Sequence, residues 1–202
     1  MYRAKLAIRA IVVIFLVGGL LVAVDGTRVN ARPEALVTID LSPEQAVMLD
    51  WALALFDAAD LALPPLRVIA HDSTDPCDGR DGAHFYESGR STIHLCTSET
   101  GPAQEFLYLH ELAHAWDHHA LSDERRGTFL ALRGLTEWNN DDADGWHDRG
   151  AEHAAEIVMW GLMDRPISVV RLEANSCPEL RAGYIALVGR PPLHGYTEWC
   201  AP

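Results

Sequence analysis

Residues 107–119 read LYLHELAHAWDHH, with four histidines, a glutamate and an aspartate in thirteen positions. The apolar residues of this stretch recur at helical spacing, and the pattern predicts a helix from Pro102 to about His119. Residues four apart on a helix point almost the same way, so His110 and His114 can each offer an imidazole nitrogen to one ion. Glu111 is turned by about 100° from His110 at 3.6 residues per turn. That puts its carboxylate beside the ion, where it can activate a metal-bound water rather than serve as a ligand. Phe106, Leu109, Leu112, Ala113 and Trp116 fall on a separate arc, so the helix has a core face and a chemical face.

Two histidines need a third partner to hold a metal. The pattern HExxHxxGxxH does not supply it, because Asp117 stands where that pattern has glycine and Ala120 where it has histidine. His118 shares the chemical face but lies roughly 6 Å beyond His114 along the axis, and His118 and His119 read as a solvated helix end. The better candidate is EHAAE, Glu152 to Glu156, on a helix expected from Gly150 to about Met163. Its two carboxylates are four apart and share a face, with alanines, Ile157, Val158 and Met159 around them. Unpaired acids on so apolar a helix would be costly. Glu152 can complete a His, His, Glu set, while Glu156 hydrogen-bonds the far nitrogen of a ligand histidine. Asp117 is expected to support the site or cap the helix rather than act in catalysis.

HELAHAWD, followed 38 residues after His114 by EHAAE, resembles the zincin metallopeptidases of the gluzincin kind. In these, HExxH on one helix is joined by a glutamate from a downstream helix. The likeness is to the catalytic domain of anthrax lethal factor and related bacterial peptidases, and it spans about Phe106 to Leu162. It implies one zinc ion held by His110, His114 and Glu152, Glu111 as general base, and Glu156 as the acid behind the ligands. It also implies that the strand around Thr92 to Cys96 borders the cleft and binds an extended peptide by strand addition. One departure stands out: the family's oxyanion-stabilising tyrosine, seven residues before the ligand glutamate, is Gly145 here. His147 and Arg149, in WHDRG, are the candidates for that role, since each can donate to developing negative charge.

The function expected from these residues is zinc-dependent hydrolysis of peptide bonds, with a peptide or protein as partner. Two other classes stand beside it. One is an envelope binding protein in which zinc only ties helices together, although such a site would have no use for a base at Glu111. The other is a zinc hydrolase of a non-peptide amide.

The first 26 residues, MYRAKLAIRAIVVIFLVGGLLVAVDG, place Arg3, Lys5 and Arg9 ahead of an uncharged run from Ala10 to Val24. This is the layout of an export signal, with the basic flank inside. Residues 1–31 are therefore expected to be a signal peptide or an N-terminal membrane anchor, and 32–202 an extracytoplasmic or secreted domain with a single core. Export makes Cys77, Cys96, Cys177 and Cys200 legible as two disulfides, and nearest-neighbour pairing is expected, Cys77 with Cys96 and Cys177 with Cys200. No CxxC pair suggests a cysteine zinc site. A formal charge of −13, from 29 acidic and 16 basic residues, argues against nucleic acid as a partner.

Elsewhere, Ser42 and Pro43 open a scaffold helix reaching about Ala59, LRVIAH reads as a buried strand, and HFYESGRSTIHLC as a hairpin turning at Ser88 to Arg90. His71, His84 and His94, on or beside these strands, read as partly exposed or hydrogen-bonded histidines. Further helices are expected from about Ser122 and from Cys177 to about Gly189. The fold class is thus α+β, zincin-like: a small, mostly antiparallel sheet packed on the HExxH helix, with the third ligand on a following helix.

Overall fold

The computed structural model describes residues 33–97, 102–139, 145, 148–165, 172, 175–195 and 200. Residues 1–31 and His147 lie outside this set. Among the described residues no helix is long and apolar enough to cross a membrane.

The architecture is α+β, with one four-stranded sheet and five helices among the described residues. β1 (Leu36–Ile39) leads into α1 (Pro43–Ala58), and α1 returns the chain to β2 (Leu66–Ala70). Ser42 and Gln45 form a reciprocal capping box, and Pro43 takes a first-turn position where its missing N–H costs nothing. After a 3-10 turn at Asp75–Cys77 come β3 (Gly82–Glu87) and β4 (Arg90–Leu95), joined by Ser88 and Gly89. Both turn residues have positive φ, 52° and 77°, the backbone twist that suits a two-residue hairpin. Four further helices follow: α2 (Pro102–Ala120), α3 (Asp123–Arg133), α4 (Gly150–Leu162) and α5 (Cys177–Val188).

The sheet corrects one expectation: it is mixed, not mostly antiparallel. Its order is β1-β2-β4-β3, with β1 parallel to β2, β2 parallel to β4, and only the β3–β4 hairpin antiparallel. The reason lies in the connections. α1 is a crossover, which permits parallel pairing, and the chain after β2 passes to the sheet edge before the hairpin brings β4 back between β2 and β3. β1 is a strand that its short LVTI run, followed at once by a helix start, does not announce.

α2 packs against β3 and β4, and the other helices pack around it. Leu66, Val68, Ile93 and Leu95 point inward and join Phe56, Leu109, Leu112 and Trp160 in one core. α4 is buried on all sides; of its residues only Glu152 is partly exposed. Its contact with α5 is close, since a Cβ at Gly161 would lie 2.1 Å from the Tyr184 ring. Two disulfides, Cys77–Cys96 and Cys177–Cys200, tie the 3-10 turn to the end of β4 and the start of α5 to the C-terminal tail.

Candidate metal centre

α2 carries His110 and His114 on its partly exposed side, one turn apart, while Leu109, Leu112, Ala113 and Trp116 anchor its other side in the core. Glu152 reaches them from the first turn of α4. Three atoms converge. His110 Nε2 lies 3.1 Å from Glu152 Oε2 and 3.1 Å from His114 Nε2, and the third side, His114 Nε2 to Glu152 Oε2, is 3.3 Å. A tetrahedral ion with bonds of about 2.0–2.1 Å sets its ligand atoms roughly 3.3–3.4 Å apart, so the triangle is nearly the size that such an ion requires. These residues could hold a metal ion, and among the described residues they form the one such cluster.

The far nitrogens of both histidines also face carboxylates. His110 Nδ1 is 3.4 Å from Glu156 Oε1, and His114 Nδ1 is 3.6 Å from Asp117 Oδ2. Partners of this kind fix the ring orientation and leave Nε2 for the ion. Glu156 and Asp117 are themselves buried. Burial alone would lower the pKa of His110, but its contacts with Glu152 and Glu156 outweigh that and push it up to about 9. His114 is likewise raised, as Asp117 and Glu152 overcome burial. For Glu152, burial acts upward, yet the two histidines hold it well below the usual carboxylate range. The cluster therefore favours positive charge at the Nε2 atoms, whether a proton or a metal cation supplies it.

Glu111 is 6% exposed and sits against β3. A Cβ at position 82 would meet Leu107 at 2.6 Å and Glu111 Oε1 at 2.9 Å, so only glycine lets the strand approach this closely. Burial raises the Glu111 carboxyl pKa, against the pull of the two histidines. A raised carboxyl beside a cation site is suited to accepting and returning a proton.

A cleft of about 1020 Å³ opens over these groups. β3 forms one wall and runs in the same direction as α2. Gly82 lies beside Leu107 and Glu111, the His84 ring stacks over His114 at 6.2 Å, and Tyr86 stacks on His118 at 3.9 Å. Here a second expectation is corrected. β4, which holds Thr92 to Leu95, is hydrogen-bonded on both sides and has no free edge, so β3 is the strand that borders the cleft.

Arg149, the residue preceding α4, also lines the cleft, and its Nε is buried with no hydrogen-bond partner. His71 and His94 are absent from the cleft lining; they pair with each other at 2.9 Å. Three contributors escape sequence reading: Gly82, His84 and Gln104. His84 shows only the strand alternation that points it at α2, and its pKa is driven down to about 3 by burial and by His114 and His118.

No protein-family model, curated protein or solved structure matches this chain.

Proposed function

We propose that the protein is an exported zinc metallopeptidase of zincin-like fold. The observation that carries this reading is the His110, His114 and Glu152 triangle with a buried glutamate beside it, at the floor of an open cleft. The donor set is two imidazoles and one carboxylate, which suits zinc and matches catalytic sites that keep a position open. His110, His114 and Glu152 would hold the ion, with Glu156 and Asp117 orienting the rings. Zinc bound there supplies Lewis-acid chemistry, acidifying water and polarising a carbonyl. Glu111 accepts the proton of the attacking water and returns it to the leaving amine. Arg149, with its unpartnered Nε, donates to the negative charge that develops on the carbonyl oxygen.

β3 is an edge strand whose residues line the cleft, which supports binding of an extended peptide by strand addition. Two disulfides fit an oxidising, extracytoplasmic setting, in agreement with the export signal expected at residues 1–31.

The experiment is elemental analysis of the chain and of Glu152→Ala, followed by peptide hydrolysis by the parent and by Glu111→Gln. About one zinc per chain, lost in Glu152→Ala, with hydrolysis abolished in a Glu111→Gln protein that keeps its zinc, supports the reading. A zinc-loaded parent that cleaves no peptide, but does cleave a non-peptide amide, would replace the substrate class. A zinc-loaded parent inert on both would leave the metal a structural part.

A further inference from the structure

Gln104 is a buried amide that the proposed chemistry does not use. It is 3% exposed, its Nε2 has no hydrogen-bond partner, and it belongs to the cleft wall. An amide N–H buried without a partner is costly, and here the residue that carries it lines the cleft that a substrate would fill. Gln104, Leu107 and Glu111 follow one another along one side of α2, at spacings of three and four residues. Gln104 therefore lies one turn beyond Leu107, at the Gly82 end of the cleft, in the wall that also holds Ala103, Thr97 and Arg80.

The direction of a bound peptide decides what Gln104 would meet. Antiparallel pairing is the more stable per residue, so a peptide added to β3 runs opposite to it. β3 advances from Gly82, at Glu111, to Tyr86, at His118. The peptide accordingly enters with its N-terminal part at Tyr86 and His118 and leaves with its C-terminal part at Gly82 and Gln104. Resting on the peptidase reading, we infer that Gln104 sets the specificity of the cleft. Its Nε2 donates to an acceptor on the side chain that follows the scissile bond, and the substrates are peptides with glutamine, glutamate, asparagine or aspartate at that position.

A peptide library with each position held in turn as Gln, Glu, Met or Leu would be equilibrated with zinc-loaded, full-length Glu111→Gln protein, and the bound peptides sequenced. One position should favour Gln and Glu over the near-isosteric Met on the order of tenfold to a hundredfold. Adding Gln104→Leu should abolish or invert that preference with zinc content unchanged. Adding Gln104→Glu, which replaces the donor with an acceptor, should reject the acidic peptides. A preference for Met or Leu in the Glu111→Gln parent overturns the inference without recourse to any variant at position 104. So does a preference that survives Gln104→Leu, or the absence of any bound peptide. Cleavage of the same library by the protein with Glu111 intact should place the selected residue immediately after the cut; a cut elsewhere overturns the assignment. Selective binding lost in Gln104→Leu, but with no cleavage, would uphold Gln104 as the recognition residue and remove the peptidase reading instead.

Discussion

Gly82 and Glu111 are in such close approach that a single methyl group at position 82 would stand 2.9 Å from the glutamate's Oε1. The edge strand of the sheet and the proposed base on α2 are therefore packed directly against each other. Leu107, at 2.6 Å from the same point, closes the other side of the gap. Gly82→Ala should push Glu111 out of place, costing about 1–3 kcal/mol of stability through overpacking. Hydrolysis should fall further than zinc content does, which kinetics and elemental analysis on the same sample would separate.

Glu152 is the ligand proposed from α4, so its removal tests whether two distant segments form one site. Glu152→Ala should weaken zinc binding on the order of a hundredfold or more, since loss of a direct ligand should exceed the 10- to 100-fold cost of losing an outer partner. A competition titration against a chelator would measure it, and an unchanged affinity would separate HELAHAWDHH from EHAAE.

Glu156 and Asp117 face the far nitrogens of His110 and His114. Glu156→Gln and Asp117→Asn keep the shape but remove the charge, and each should reduce zinc affinity roughly tenfold to a hundredfold. The same titration reads both, and the double variant should be weaker than either single one.

The pH dependence has opposite signs for stability and for metal binding. In the metal-free protein, His110 is raised from 6.5 to about 9, so the stability it contributes is fully present below pH 6.5 and is lost as pH rises through about 9. Glu152 is depressed from 4.5, so its contribution is present above pH 4.5 and is lost as pH falls through its lower folded value. The metal-free protein should be steadiest, as far as this pair decides, between pH 4.5 and 6.5. Zinc must displace the histidine protons, so its affinity should rise with pH up to about 9. Thermal melts with and without zinc, across pH 5 to 9.5, would check both trends.

The two disulfides close loops with sequence separations of 19 and 23 residues. Chain entropy assigns each about 3 kcal/mol. Cys77→Ser with Cys96→Ser should lower stability by about that amount, as read from denaturant unfolding, and should loosen the turn that leads into β3.

The helices were legible because each carries its own punctuation. Ser42 with Pro43, Ser122 before α3, Pro178 within α5 and Gly189 after it are local signals, and the observed helices follow them closely. The hairpin was legible for the same reason, its Ser88–Gly89 turn lying between two short strands. The sheet's direction was not, since parallel or antiparallel pairing depends on where each connection lands, and no residue of β2 or β4 records that. The strand bordering the cleft depends on the same long-range pairing: the resemblance implies β4, but β4 is enclosed between β2 and β3, which leaves β3 at the edge.

What the sequence by itself determined is the chemistry available: the i, i+4 spacing puts His110 and His114 on one helix face whatever surrounds them, and Glu111 must lie beside them. Cysteine spacing suggested the disulfide pairing but left other connectivities open. Only the tertiary structure decided that Glu152 closes the triangle, that Glu156 and Asp117 stand behind the rings, and that Gly82, His84 and Gln104 belong to the same cleft. The physical reason is range. Helical periodicity is imposed by hydrogen bonds between neighbours four residues apart, while the convergence of α2, α4 and β3 comes from burying apolar faces shared by the whole chain.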